Sequence, residues 1–123
     1  MGKSTGIDKI QLGQWGELQA AKFLKEKGYQ IIEQNVRTPY GEIDLVAKFA
    51  GALIFVEVKT RRSNEYGHPE EAVTDLKRAH MIDSAESYLQ EHTDFNGDWQ
   101  IDVIAVLAKS KSQLEFHHFE NIA

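Results

Sequence analysis

Two neighbouring runs of the sequence say most about the fold, GEIDLVAKF at residues 41–49 and ALIFVEVKT at residues 52–60. Both are rich in β-branched and aromatic residues, and the Ala50-Gly51 pair between them is typical of a tight hairpin turn. The second run begins apolar on both of its alternating faces, which predicts a central strand covered on both sides. A hairpin with this turn sets Asp44 opposite Glu57, to within a residue or two of register.

Three charged side chains are expected to meet at the end of this hairpin. Opposed residues of antiparallel strands share a face with Cβ atoms roughly 5 Å apart, and strand alternation puts Glu57 and Lys59 on one face. Two carboxylates about 4 Å apart repel by roughly 4 kcal/mol at an effective dielectric of about 20, so Asp44 and Glu57 together favour a divalent cation such as Mg²⁺. A plain Glu57–Lys59 ion pair, a shared proton and a three-way ion pair with Lys59 are the alternatives that the residues leave open.

The whole chain, residues 1–123, is predicted to form one mixed α/β domain, in which residues 1–10 are a loose leader. Periodicity and turn signals give the element order α-β-β-β-α-β-β. The ranges are a helix at 11–27, strands at 29–36, 42–49 and 52–60, a helix at 74–91, and strands at 99–107 and 114–119. Three strands joined by short turns form a meander, and the second helix then crosses a mixed β-sheet with flanking helices.

The first helix offers a third carboxylate. Glu17 lies on or beside the inward stripe of this helix, because apolar residues follow it at helical spacing. Gly13 and Gly16 precede it, and their lack of a side chain permits close approach to the sheet. Capping of a backbone group or pairing with a lysine would explain an inward Glu17 equally well.

Composition excludes several classes of protein. The chain has 123 residues and no cysteine, which excludes a disulfide framework and thiolate metal sites and makes a reducing cytoplasm the expected location. No run of about 18 apolar residues is present, so no membrane span is expected. The first residues have no apolar run of the kind that a secretion signal needs.

Charge is divided unevenly along the chain. The net charge is −5, which argues against strong non-specific binding to nucleic acid. Residues 1–62 carry ten Lys/Arg and seven Asp/Glu, whereas residues 63–123 carry four and twelve. A nucleic-acid surface would therefore be built mainly from the first half, although acidity that only keeps the protein soluble explains the same numbers.

Basic and aromatic residues near the strand ends form a candidate nucleic-acid-binding set. Its members are Arg37, Tyr40, Thr60, Arg61, Arg62, Lys77 and Arg78. Lys77 and Arg78 fall in the first turn of the second helix, where cations oppose the helix dipole unless a phosphate is bound. Solvated surface charges are the alternative for these two.

Other aromatic and histidine residues give weaker signals. Tyr66 and Trp99 could stack on bases, but aromatic residues in a small domain more often belong to the core. His117 and His118 are adjacent in a strand and point to opposite faces, which argues against a zinc site.

The sequence from Gly41 to Arg61 resembles the PD-(D/E)XK nucleases, and within them it is most similar to the YraN-like family of small bacterial proteins. That family is similar in turn to archaeal Holliday-junction resolvases. The resemblance covers about residues 13–107. It includes GQWGE at 13–17, KGY at 27–29, FVEVKTR at 55–61, AVT at 72–74, KR at 77–78 and IDV at 101–103. Ile43 stands where many members of the superfamily have a proline before the aspartate, as is usual in the YraN-like group.

This resemblance implies a restriction-endonuclease-like core and a role for each matching residue. Asp44 and Glu57 would ligate Mg²⁺ or Mn²⁺, with the Val58 carbonyl as a further ligand. Lys59 would orient or polarise the attacking water and stabilise charge at the phosphate, and Glu17 would support the site.

The implied activity is metal-dependent endonucleolytic hydrolysis of phosphodiester bonds in DNA, and structure-specific cutting of branched or single-stranded DNA is one form of it. The alternative is a catalytically silent module of the same fold that binds nucleic acid or a protein partner. Symmetric cutting of a junction would need two sites and hence a homodimer.

Overall fold

The computed structural model describes residues 9–62, 74–110 and 112–123. Its elements are α1 (Lys9–Glu26), β1 (Gln30–Thr38), β2 (Gly41–Phe49), β3 (Ala52–Arg62), α2 (Asp75–Glu91), β4 (Trp99–Ala108) and β5 (Leu114–Phe119). The predicted mixed α/β class and element order are confirmed. Helix α1 begins two residues before the predicted start, so Lys9 and Ile10 are helical rather than part of a leader. Residues 1–8 of that leader and Tyr66 lie outside the described residues.

The five strands form one mixed sheet in the order β1-β2-β3-β4-β5. Strands β3 and β4 are parallel, and the other neighbours are antiparallel. Parallel neighbours require a crossover connection, and α2 lies in that connection. Strands β1 and β5 are the two edges of the sheet.

The register of β2 and β3 is the one expected from the hairpin. Regular pairing runs from Phe49–Ala52 to Leu45–Val56 and ends one residue before Asp44 and Glu57. This register brings the two carboxylates to the same end of the sheet.

Both faces of β3 are covered, which explains its nearly continuous apolar sequence. On one face, Val56 and Val58 pack against Leu24 of α1, and on the other, Phe55 packs against Tyr88 of α2. Full burial of a large apolar side chain contributes about 1.5–3 kcal/mol, so this strand anchors the domain. Trp99 packs edge-on against Phe55 at a ring-centroid distance of 5.9 Å, so it lies with the core rather than on a base-stacking surface.

A buried aspartate ties the C-terminal segment to the sheet. Asp102 is fully buried and accepts hydrogen bonds from His118 Nε2 at 2.7 Å and from the backbone N–H of Asn121 at 2.9 Å. The other ring nitrogen, His118 Nδ1, lies 2.7 Å from Lys27 Nζ. A lysine ammonium only donates, so this geometry assigns Nδ1 as the acceptor and the Nε2–H as the donor to Asp102. His118 therefore has a structural role, and its neighbour His117 pairs with Glu115 instead.

Neither of the two described helices could span a lipid bilayer. Neither α1 nor α2 combines the length and the apolar character that a membrane-spanning helix requires.

Candidate active site

Asp44 is held in a buried position at the point where β2 and β3 stop pairing regularly. Its side chain is 8% exposed, and Oδ2 accepts a hydrogen bond of 2.8 Å from the backbone N–H of Val58. This bond fixes one oxygen of the carboxyl group against β3.

The electrostatic surroundings of Asp44 are unfavourable to its charge. Burial, followed by the neighbouring carboxylates of Glu57, Glu17 and Glu42, raises the pKa of Asp44 to about 8, although the hydrogen bond from Val58 opposes the shift. Without a bound cation Asp44 is therefore mostly protonated at neutral pH. A carboxylate in such a place is costly unless a positive charge accompanies it.

Glu57 lies between two lysines. Its Oε2 is 3.6 Å from Lys59 Nζ and 3.5 Å from Lys77 Nζ, distances that correspond to ion pairs rather than direct hydrogen bonds. The Glu57 side chain is 17% exposed. The ion pair that the sequence left open as an alternative is thus present, and the ammonium of Lys77, from α2, is added to it. Burial and the neighbouring Lys59 lower the pKa of Lys77.

Helix α1 brings Glu17 to the same place. Burial and the charge of Glu42 raise the pKa of Glu17, while hydrogen bonding with Asp44 lowers it. The carboxyl group of Glu17 is therefore a neighbour of Asp44, Glu42 and Glu57, which agrees with an inward carboxylate. The structure brings together the four residues that the resemblance implied as catalytic: Glu17, Asp44, Glu57 and Lys59.

Gly16 sets the approach of α1 to the sheet. A Cβ atom at Gly16 would lie 1.7 Å from Thr60 Oγ1 and 2.7 Å from Thr60 Cβ, whereas a Cβ at Gly13 would meet nothing within 4 Å. The sequence had assigned close approach to both glycines, and for Gly13 this is wrong. Rotation about χ1 cannot move the Thr60 Cβ, so any side chain at Gly16 must displace the helix that carries Glu17.

Gly16→Ala is therefore expected to destabilise the domain by about 1–3 kcal/mol, the usual cost of overpacking. Gly13→Ala is the matched control and should stabilise it by about 0.5–1 kcal/mol, because alanine is the better helix former and space is available. Urea unfolding of both variants beside the wild type measures the difference. Equal stability of the two variants would show that Gly16 does not define the contact between α1 and β3.

The donor atoms at this site suit a hard divalent cation. Within residues 9–62, 74–110 and 112–123, no three His, Asp or Glu side chains form a ready-made metal-binding group. The available set is Asp44 and Glu57 with the Val58 carbonyl, and Mg²⁺ is commonly held by one or two carboxylates and completed by water. The pKa of Asp44 is raised first by burial and then by the neighbouring carboxylates, and a bound cation would offset both effects. The residues present therefore fit a Mg²⁺ or Mn²⁺ ion.

Most of the candidate nucleic-acid-binding residues lie near this end of the sheet. Arg37 is exposed on β1, Tyr40 is at the tip of the β1–β2 hairpin, and Arg61 and Arg62 are exposed at the end of β3. Thr74 caps α2, and Lys77 and Arg78 lie in its first turn as predicted.

The side chains of Thr60 and Arg78, like that of Lys77, lie against other parts of the protein. The Thr60 hydroxyl is buried beneath α1 without a hydrogen-bond partner among the described residues, so the structure does not place it on an accessible surface. Arg78 Nη1 is 3.6 Å from Asp75 Oδ1, which is a contact within the helix.

Sequence reasoning missed two contributors to the electrostatics of the site. Glu42 is two positions before Asp44, and strand alternation would have put both on one face. Lys77 was expected either to contact a phosphate or to be a solvated surface charge. Its contact with Glu57 depends on the docking of α2, for which the sequence holds no local signal.

Comparison of the chain with known proteins finds matches to one family. A family model described as "Uncharacterised protein family UPF0102" matches residues 16–106. A UPF0102 protein of Syntrophomonas wolfei is 46% identical over 99 residues, which cover 80% of this chain and 86% of that protein. One from Caldicellulosiruptor saccharolyticus is 40% identical over 108 residues, covering 88% and 92%. One from Roseiflexus castenholzii is 41% identical over 106 residues, covering 85% and 86%.

Proposed function

This chain belongs to the UPF0102 family, and we propose that it is a Mg²⁺- or Mn²⁺-dependent endonuclease that hydrolyses phosphodiester bonds in DNA. The observation that supports the proposal most is the convergence of Asp44, Glu57 and Lys59 at one end of the sheet. A domain selected for stability alone would gain nothing from a buried carboxyl group next to a second carboxylate.

Asp44 and Glu57, with the Val58 carbonyl, would hold the cation. When bound, a divalent cation acts as a Lewis acid on the phosphoryl oxygen and lowers the pKa of a bound water. The hydrogen bond from the Val58 N–H fixes one oxygen of Asp44, so the carboxyl group needs little reorganisation to act as a ligand.

Lys59 would contact the reacting groups directly. Its side chain is one-third exposed beside Glu57, so the ammonium can reach a phosphate oxygen or the attacking water while Lys77 continues to balance the charge of Glu57. Positive charge placed where negative charge develops stabilises the transition state. Glu17 would act through Asp44, because the two carboxyl groups are electrostatic neighbours.

The DNA backbone would follow the exposed cations around the site. Arg37, Arg61 and Arg62 surround it on two strands, and contacts of this kind position a duplex without reading its sequence. With a net charge of −5, binding should be weak and should weaken further with added salt.

A second candidate function is a binding module that engages nucleic acid or a protein without cutting. The acidic charge favours it, and so does the neutralisation of Glu57 by two lysines, since a carboxylate that is already paired does not require a metal. We prefer the enzyme because the two lysines pair with Glu57 rather than with Asp44. The negative charge of a deprotonated, buried Asp44 would therefore still need a cation.

A cleavage assay on labelled DNA tests the proposal. The substrates are duplex, single strand, flap and four-way junction, each incubated at low salt with Mg²⁺, with Mn²⁺ or with a chelator. Metal-dependent cutting of at least one substrate is the expected result, and the preferred substrate would define the specificity. Binding without cutting in either metal would favour the second candidate.

A further inference from the structure

A cleft of about 430 Å³ opens beside Glu57. One wall is the tip of the β1–β2 hairpin with Tyr40, and the other wall is the start of α2 with Lys77, His80 and Met81. Its volume lies within the range of about 300–1,000 Å³ that small-molecule sites occupy. The cleft is thus large enough for a single nucleotide and continuous with the candidate active site.

We propose that this cleft binds one unpaired nucleotide of the nucleic acid, next to the phosphodiester bond that is cut. The inference rests on the proposed function, because Glu57 at the edge of the cleft would place the reacting phosphate there. It adds the class of substrate: DNA with an unpaired nucleotide at the cutting position, rather than continuous duplex.

The shape of the cleft favours an unpaired base. A base within a duplex is stacked and paired on its inner edge, so it enters a pocket only after extrusion from the helix, at a cost of a few kcal/mol. A flap, an overhang or an unpaired position at a branch avoids most of that cost. Substrates with such positions would therefore reach the cleft more easily than a perfect duplex.

Tyr40 has the character of a stacking platform. Its side chain is 54% exposed, although it is a large and partly apolar group. Bases of any sequence stack on exposed aromatic rings. Met81 on the facing wall supplies an adaptable apolar surface, and Lys77 and His80 supply groups for the phosphate.

The hairpin tip is held rigidly in place across from α2. The Tyr40 N–H donates to Thr38 Oγ1 at 3.1 Å, and the Thr38 hydroxyl donates to the Gly41 carbonyl at 2.7 Å. Thr38 Oγ1 is also 3.2 Å from Ser84 Oγ of α2. These bonds connect the two walls of the cleft, so Tyr40 is presented in a fixed position and less ordering is required when a base binds.

The test measures DNA binding in a Lys59→Ala background, in which cleavage is slowed by about 10²- to 10³-fold and the lining of the cleft is unchanged. Two DNAs are compared in Mg²⁺: a perfect duplex, and the same duplex with a short single-stranded extension that carries 2-aminopurine. We expect the extension to raise affinity by about tenfold, the scale of stacking one base on an aromatic residue. We also expect the fluorescence of the 2-aminopurine to change on binding.

Tyr40→Ala should abolish the rise in affinity that the extension gives, and Tyr40→Trp should retain that rise. Arg37→Ala is the matched control on the same hairpin and should weaken both DNAs equally, as loss of a phosphate contact does. Tyr40 is exposed at a turn, so both of its variants should melt like the parent protein.

The outcomes separate this inference from the proposed function. Equal affinity for the two DNAs, or an advantage that survives Tyr40→Ala, would overturn the inference even if the wild type cuts DNA. If the wild type cuts no DNA but the extension still raises affinity in a Tyr40-dependent way, the cleft is supported as a nucleotide site and only the proposed cleavage is refuted.

Discussion

Lys59→Ala is expected to slow DNA cleavage by about 10²- to 10³-fold, the usual cost of removing one donor that stabilises charge in a transition state. The side chain of Lys59 is the more exposed of the two lysines beside Glu57, at 34% against 24% for Lys77, so it is the better placed to contact the phosphate. The variant should fold normally, because Lys59 lies at the end of a strand and Lys77 still balances Glu57 at 3.5 Å.

Single-turnover cleavage at saturating DNA isolates this effect from binding. Lys48→Ala is the matched control, since Lys48 is an exposed lysine at the other end of the same hairpin, and it should cut at the wild-type rate. Affinity for DNA should fall little in the Lys59 variant, because one phosphate contact among several is lost. Cleavage by Lys59→Ala at the rate of Lys48→Ala would mean that Lys59 takes no part in the reaction.

Asp44→Asn is expected to stabilise the metal-free protein at pH 8 by a few kcal/mol and to flatten the pH dependence of its stability. In the wild type, burial holds the folded-state pKa of Asp44 at about 8, against an ordinary value of 3.8. Between these two values the folded chain retains a proton that the unfolded chain has lost. The free energy of unfolding therefore falls as pH rises through this window, whereas an asparagine side chain has no such proton to lose. The amide oxygen of asparagine can still accept the hydrogen bond from Val58.

Magnesium should act differently on the two proteins. A carboxylate must lose its proton to bind a metal, so the stabilisation of the wild type by Mg²⁺ should grow from about pH 6 to about pH 8. At about ten times its dissociation constant the ion adds about 1.4 kcal/mol, and it should add little to Asp44→Asn. Urea unfolding across pH, with and without Mg²⁺, gives both results. The same pH slope in both proteins would show that Asp44 is not the buried carboxyl group responsible.

Much of the fold could be predicted because its signals are local. The hairpin turn and the alternation along β2 and β3 specify a register, and the register brings Asp44 and Glu57 to the same end of the sheet. The element order followed from helical and strand periodicity in the same way. The start of α1 was misjudged by two residues, although the sequence holds a signal for it, since Asp8 before Lys9 is a residue type that favours helix N-caps.

The rest of the candidate site depends on how the helices dock, which no local pattern specifies. Gly13 and Gly16 look alike in sequence, and only the packing of α1 on β3 distinguishes the glycine that Thr60 contacts from the one that faces open space. The docking of α2 likewise brings Lys77 to Glu57 and closes the second wall of the cleft. Thr60 was expected at the DNA surface by its position after Lys59, but strand alternation turns its side chain toward α1 instead.

The most direct test of a metal-dependent nuclease site is the cleavage rate of three proteins purified in parallel: wild type, Glu57→Gln and Glu26→Gln. Glu26 is an exposed glutamate at the end of α1, so its variant has the same change of charge away from the site. We expect Mg²⁺-dependent cutting by the wild type and Glu26→Gln at similar rates, with at least about a 10²-fold loss in Glu57→Gln. Cutting by Glu57→Gln at the wild-type rate would contradict a metal-dependent site built on Glu57.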